Sequence, residues 1–320
     1  MPKISVIIPT FNGEKRISRA IESVLVQTIQ DFEIIVVDDA STDKTREIVK
    51  EYQKKDNIIK LITLNKNSGG PNIPRRIGIQ NSKGKYVTLL DQDDMYLPNN
   101  LEIKSKILDT YPEIDIIDGF AWMVDEKTRQ IIDCAPYTFS NFMIRKRVFE
   151  EIGNFSEKQV NDDSLWFAKY RKWKNHKGIF ILKEPLVLYF RHPDQSIYKP
   201  GKTPLVYAKN LENYLKDPDA SLYFSKKDYS FFYSRIGNYY CLEGNLKGGR
   251  EYFKKSLNSS FNFFSLFFYL LSFSRQKSYK KIEEFLRCLQ KNLLWKARKI
   301  LAQVKYKESY NKAIEILNNL

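Results

Sequence analysis

Residues 86–98 read "YVTLLDQDDMYLP": a short run suited to a buried strand, then three carboxylates, Asp91, Asp93 and Asp94, within four positions. The same design stands earlier, at residues 32–39, where "FEIIVVDD" ends in Asp38 and Asp39. Working outward, "ISVII" at residues 4–8, closed by Pro9, is a continuous β-branched run of the kind that is buried on both faces of a sheet. Ile17, Ala20, Ile21, Val24 and Leu25 follow at the spacing of one helical stripe. Ser41 or Thr42 can cap a second helix carrying Ile48, Val49 and Tyr52. Residues 59–65 predict a third strand, 75–82 a short helix and 86–90 a fourth strand. Strand and helix in alternation predict an α/β fold, a mostly parallel sheet with helices on both sides.

In open sheets of this kind ligands bind outside the carboxyl ends of the strands. Two strands here end in grouped acids at that edge. Each carboxylate raises the cost of ionising its neighbour, and a cation relieves it. A hard divalent ion, Mg²⁺ or Mn²⁺, takes one or two carboxylates and completes its shell with phosphate and water. Asp93 with Asp91 or Asp94 supplies such a set. The ion would neutralise a diphosphate and make it a good leaving group, which points to a nucleotide carrying a group on its far phosphate. No Gly-rich Lys-Ser/Thr loop is present, so phosphoryl transfer by that machinery is excluded; "NSGGPN" at residues 67–72 offers only a glycine pair. Histidine is confined to His176 and His192, which leaves a carboxylate as the base for a transfer reaction. Asp162 and Asp163, at the start of a helix expected over 161–174, suit that role and equally suit capping the helix.

The net charge of +15 is unevenly spread. Residues 201–320 hold 22 Lys and Arg against 10 Asp and Glu, leaving 31 against 28 in residues 1–200. A solvated basic face and a region facing an anionic partner both fit this imbalance. The same last third carries a helix pair, 233–258, with Gly237, Tyr240, Gly244 and Phe253 placed as in a tetratricopeptide repeat. "FNFFSLFFYLLSF" at 261–273 then packs seven aromatics into 13 residues. That is too short to span a bilayer; the helices either bury this face among themselves or present it to a membrane. Aromatic and basic residues are not interleaved, which speaks against nucleic acid. The Pro- and Gly-containing segment after His192 marks a boundary near residue 200, dividing residues 1–200 from 201–320. Cys134, Cys241 and Cys288 fit no zinc or disulfide spacing, and the amino terminus has no signal-peptide pattern. The expected place is therefore the cytoplasm, with peripheral attachment to the inner face of the membrane through the basic region.

Taken together, "ISVIIPTFN", "IIVVDDASTDKT" and "NSGGPNIPRRIGIQNSKGKYVTLLDQDD" resemble, in order, the signatures of the family 2 glycosyltransferases, inverting enzymes of the GT-A fold that use nucleotide sugars. The resemblance runs from residue 2 to about 195. It implies that Pro9 and Thr10 approach the nucleoside, that Asp39 meets base and ribose, and that Gly70 and Arg75 line the donor site. It further implies that Asp91, with Gln92 beside it, lies on the ribose side and that Asp93 ligates the metal. "IGNFSE" is similar to the family's turn beneath the acceptor site, and counting back from Leu165 and Trp166 puts the catalytic Asp at Asp162. "YFRHPDQS" resembles the segment closing over the phosphates, with His192 as a contact to metal or phosphate. The sequence departs from the pattern at Pro74 and Arg76, at Asn161, and in the adjacency of Arg191 and His192. The implied partners are a nucleoside-diphosphate sugar, UDP-linked, and a glycan or lipid-linked saccharide acceptor, with an anionic membrane surface and no nucleic acid. Two other readings are a sugar-phosphate nucleotidyltransferase, for which "IIPTFNGEKR" is a poor fit, and a helical interaction protein with a relic front domain, against which the intact "DQDD" and Asp162 stand.

Overall fold

A computed structural model describes residues 1–136, 138–155, 162–175, 177–195, 204–216, 222, 224–274, 276–289 and 296–320. The chain divides into two compact units. One comprises Met1–Gln159, Trp173–His192 and Trp295–Leu320; the other comprises Val160–Lys172 and Pro193–Leu294. The boundary expected near residue 200 lies outside the described residues, as do Asn161 and His176.

The first unit opens with β1 (Ile4–Thr10), α1 (Ile17–Leu25), β2 (Phe32–Asp38), α2 (Thr45–Lys55), β3 (Ile59–Thr63), α3 (Asn72–Asn81) and β4 (Tyr86–Leu89). Every residue of β1 and β2 is buried, because these are the inner strands and both of their faces are covered. The α1 stripe of Ile17, Ala20, Ile21 and Val24 is buried as its spacing predicts. Helix α3 starts three residues before the expected position. Pro74 falls in its first turn, where a missing N–H is tolerated.

Next come β5 (Met95–Tyr96), α4 (Asn100–Thr110), β6 (Ile116–Asp125), β7 (Ile131–Pro136), β8 (Met143–Arg145), α5 (Lys146–Ile152), β9 (Ile179–Leu182) and β10 (Val187–Arg191). One sheet results, in the order β3-β2-β1-β4-β8-β6-β10-β5, with β7 and β9 also paired to β6. The β3-β2-β1-β4 half is parallel, as the alternation predicts. Beyond β4 the sheet is mixed: β8 runs antiparallel to both β4 and β6, and β7 and β5 are antiparallel to their partners. The reversal at β7 has a simple cause, since β7 returns from β6 through a short turn and short connections reverse chain direction, while β9 and β10 pair with β6 in parallel. Because β8 is antiparallel to both, β6 runs in the same direction as β4. The terminal helices α12 (Lys296–Lys305) and α13 (Lys307–Asn319) pack Ala302, Ala313 and Leu317 against Trp122, Ile131 and Phe190, and Trp122 Nε1 donates to Ser309 Oγ at 3.0 Å.

The second unit is helical: α6 (Asp162–Trp173), α7 (Pro204–Leu215), α8 (Lys226–Leu242), α9 (Leu246–Ser259), α10 (Phe263–Leu271) and α11 (Gln276–Leu289). Leu165, Ala168, Leu211, Phe232 and Ile236 form one core, and Cys241, Phe253, Phe268 and Tyr279 another. A capping box of Ser225 and Asp228 starts α8. Gly244, at φ +95°, turns the chain into α9. These two helices touch through glycine: a Cβ on Gly249 would come within 2.2 Å of Cys241 Sγ and 2.9 Å of Gly237 O. Among the described residues no helix is long and apolar enough to cross a membrane.

Candidate active site

Strands β1, β2 and β4 are mutually parallel, so their carboxyl ends open on one edge of the sheet. Pro9 and Thr10 close β1, both buried and paired in register with Val37 and Asp38. At the end of β2, Asp38 is fully buried; it accepts from Arg46 Nε at 2.7 Å and from the Ser41 amide. Asp39 accepts from the amide and hydroxyl of Ser68, each at 2.9 Å, and from Asn67 Nδ2 at 3.1 Å. It thereby ties the 67–70 loop to β2, and Gly70 O in turn accepts from Ser68 Oγ. Burial raises the Asp39 pKa, against the pull of the Ser68 hydrogen bonds.

Beyond β4 the four residues 91–94 form a turn in which the Asp94 amide donates to Asp91 O. Its side chains radiate. Asp91 meets Arg75, whose Nη2 donates to Oδ1 at 2.6 Å and whose guanidinium lies 3.8 Å over the Phe139 ring. Gln92 reaches back to β1: its Oε1 accepts from Thr10 Oγ1 at 2.5 Å and from the Phe11 amide at 3.0 Å, and its Nε2 donates to Phe11 O. The loop beside it approaches closely: a Cβ on Gly13 would sit 2.3 Å from Gln92 Oε1 and would displace that amide from its contacts with β1. Asp93 Oδ2 lies 2.9 Å from His192 Nε2, while the Asp93 carbonyl accepts from Arg19 Nη2 at 2.7 Å. His192 is buried, and among the described residues its Nδ1 has no hydrogen-bond partner.

Asp94 turns the other way, into the protein. It is fully buried, accepting from Ser140 Oγ at 2.6 Å and Thr138 Oγ1 at 3.1 Å. Burial, with the charges of Asp93 and Asp91 behind it, holds its carboxyl well above the usual range. Ser140 also accepts from the Asp91 amide, so one serine seats two acids of the turn. Hence, of the two partners anticipated for Asp93, Asp94 is turned away from it and Asp91 is engaged by Arg75. Asp94 is a structural acid, and among the described residues no group of three or more His, Cys, Asp or Glu side chains gathers at one point.

Sequence reasoning passed over a further group. Glu126, just after β6, takes a bidentate contact from Arg16 and an ion pair at 2.8 Å from Arg19. Burial alone would raise its pKa, but the Arg16 hydrogen bond and both guanidinium charges bring it below the usual value. Arg19 is stacked 3.8 Å over Phe190, and its burial lowers its pKa. The missed signal was an acid directly after a strand, the same feature that singled out Asp39 and Asp91. Of the residues the sequence reading named, the structure gathers Pro9, Thr10, Asp39, Gly70, Arg75, Asp91, Gln92, Asp93 and His192 in the sheet-bearing unit. Asp162 opens α6 in the helical unit, and its side chain lies outside those described.

The chain matches known proteins along this region. Residues 5–161 match the profile described as glycosyl transferase family 2. An uncharacterized glycosyltransferase of Rickettsia prowazekii is 33% identical over 193 residues, covering 53% of this chain and 59% of the relative. The GalNAc(5)-diNAcBac-PP-undecaprenol beta-1,3-glucosyltransferase of Campylobacter jejuni is 29% identical over 315 residues, 91% of this chain and all of the relative. Among solved structures, S. aureus TarS 1-349 in complex with UDP-GlcNAc superposes with a TM-score of 0.60 at 21% identity, covering 89% of this chain and 91% of that one. A mannosyltransferase from Pyrobaculum calidifontis in complex with GDP-Man and Mn²⁺ does so with a TM-score of 0.53 at 14% identity, covering 95% and 87%. These likenesses establish the GT-A type of fold.

Proposed function

We propose that this chain, whose residues 5–161 match the glycosyl transferase family 2 profile, moves a sugar from a nucleoside diphosphate, UDP-linked, to a hydroxyl of a glycan or lipid-linked saccharide. One observation carries the reading: the Asp93–His192 pair, 2.9 Å apart, stands at the strand edge beside the Asp91–Arg75 pair and the Gln92 bridge to β1. UDP-GlcNAc is the first donor to try, because TarS was solved with it. The lipid-linked acceptor is suggested by the name of the Campylobacter relative that the chain matches end to end.

Asp93 and His192 fit a Mn²⁺ or Mg²⁺ ion. One carboxylate and one imidazole leave the rest of a hard ion's shell to phosphate oxygens and water. Such an ion, when bound, supplies positive charge that stabilises the departing diphosphate. The chain's own residues do the positioning. Asp39 and Asp91 receive the nucleoside; Arg75, fixed between Asp91 and Phe139, keeps the Asp91 carboxylate aimed. Gln92 locks the end of β1, with Pro9 and Thr10, against the turn. Asp162, chosen on the sequence match, takes the proton from the acceptor hydroxyl as its oxygen bonds to the anomeric carbon. The bond from that carbon to the diphosphate breaks on the opposite face, so configuration inverts. We place this work in the cytoplasm, at the inner face of the membrane that would carry a lipid-linked acceptor.

The deciding experiment follows nucleoside diphosphate release from a panel of donor sugars, with Mn²⁺, with Mg²⁺ and with a chelator. Release should require the ion, stop in Asp93→Ala and fall sharply in Asp162→Asn. Undiminished turnover by Asp93→Ala would remove the reading.

A further inference from the structure

Helix α10 is built inside out. Ser265, Phe268 and Ser272 share one face and are buried, whereas Phe263, Phe264, Phe267 and Leu270 share the other and are exposed. The buried side is held by hydroxyls: Ser256 Oγ lies 2.7 Å from Ser265 Oγ and 3.0 Å from Ser230 Oγ, and Asn262 Nδ2 donates to Ser230 at 2.9 Å. Phe268, only 5% exposed, is buried in the core and stacked on Phe253, with Tyr269 partly buried against the same cluster. Phe263 is 80% exposed, and Phe261 and Phe273 at the two ends are also exposed. A helix in water puts phenylalanine in and serine out; this one does the reverse, as it would if its outer face met an apolar phase.

The surroundings identify that phase. Between Glu251 and Glu283 the chain has six basic residues and no acidic one. Arg250, on α9, donates to Ser272 O and lies 4.7 Å from the Phe273 ring, and Lys254 lies 5.8 Å from the Tyr269 ring. Lys277, Lys280 and Lys281 are exposed on α11. An exposed aromatic face with cations on the helices before and after it complements the anionic headgroups and acyl boundary of a lipid leaflet. A second copy of this chain would set the same cations against each other. Nine residues of helix, about 14 Å, cannot span a bilayer but can lie in its interface.

We propose that α10 is an interfacial membrane anchor, seated by Phe263, Phe264 and Phe267 in the outer acyl region of an anionic leaflet with Arg250, Lys254 and the α11 lysines at headgroup level. The proposal stands on the helical unit and does not depend on which reaction the sheet-bearing unit performs. It is tested by flotation of the purified full chain with phosphatidylcholine vesicles, with and without phosphatidylglycerol, at low and moderate salt. Binding should need the anionic lipid and weaken with salt. The triple substitution Phe263→Ser, Phe264→Ser, Phe267→Ser should reduce the bound fraction at least about tenfold with an unchanged circular dichroism spectrum. Lys277→Glu, Lys280→Glu, Lys281→Glu, which leaves the aromatic face intact, should also reduce binding and serves if the first variant misfolds. The proposal is overturned if the wild type does not float even at low salt, or if neither set of changes alters flotation. It is equally overturned if sedimentation shows a dimer that the triple serine variant dissolves while vesicles bind nothing, which would assign the face to a second copy.

Discussion

The ends of β2 and β4 look alike in sequence, an apolar strand running into clustered aspartates, yet the protein uses them in opposite ways. After β2 both acids are satisfied from within: Asp38 by Arg46 and Ser41, Asp39 by Ser68 and Asn67. They shape a loop. After β4 the acids are divided, with Asp94 sealed inside by Ser140 and Thr138 and Asp93 left partly exposed against His192. A buried acid with its hydrogen bonds filled holds structure, whereas an acid with unfilled lone pairs at an open edge can take a ligand.

The contrast breaks first if charge at the two ends proves interchangeable. Asp93→Asn should lower kcat/KM by about 10²–10³-fold, roughly 3–4 kcal/mol in the barrier, and leave urea unfolding within about 0.5 kcal/mol of wild type. Asp38→Ala should do the converse. It removes the partner of Arg46 and of a buried amide, and since Arg46 can still reach water, about 2–3 kcal/mol of stability should go. Turnover per folded molecule should stay within about twofold, a change that enters the barrier only weakly. Equal losses of activity from both variants would erase the distinction.

Ser140→Ala sharpens the division within the β4 turn. It deprives Asp94 and the Asp91 amide of one shared hydroxyl and should cost about 1–2 kcal/mol, read by urea unfolding, with Asp94→Asn milder because the buried carboxyl already favours its uncharged form. A pH-dependent effect concerns Lys104, buried in α4, whose Nζ donates to Asn141 O and so backs the segment that seats Asp94. Burial pushes its ammonium down to about 7. The unfolded chain, with an ordinary lysine, binds the proton first as pH falls, so folded stability declines from the ordinary lysine range down to about 7 and levels off below. Relative to Lys104→Met, wild-type stability should therefore rise between pH 7 and 9, by on the order of 1 kcal/mol per pH unit. Parallel Tm profiles would contradict this.

Much of this was readable beforehand. The β1, β2 and β4 runs and the α1 stripe declare themselves because burial on two faces, or on one helical face, leaves a local periodic trace. The mixed half of the sheet left none, since antiparallel pairing of β8 with β4 and β6 joins residues far apart in the chain. The site residues were legible as chemical types at strand ends. Their orientations were not: Asp94 is turned inward by hydroxyls 44 and 46 residues away, and Asp93 is met by an imidazole 99 residues on. Glu126 escaped notice because its partners Arg16 and Arg19, just before and in the first turn of α1, lie 110 and 107 positions back. Helix α10 was readable as an aromatic block, but which side it shows depends on serines from α8 and α9.

Sequence alone settled the strand-helix alternation, the acids waiting at the carboxyl ends and the basic, aromatic last third, because hydrophobic period and charge are properties of neighbouring residues. Folding decided which aspartate faces inward, which faces His192, and which side of α10 meets solvent. Those outcomes rest on single hydrogen bonds between distant segments, whose strength depends on distances that only the packed chain sets.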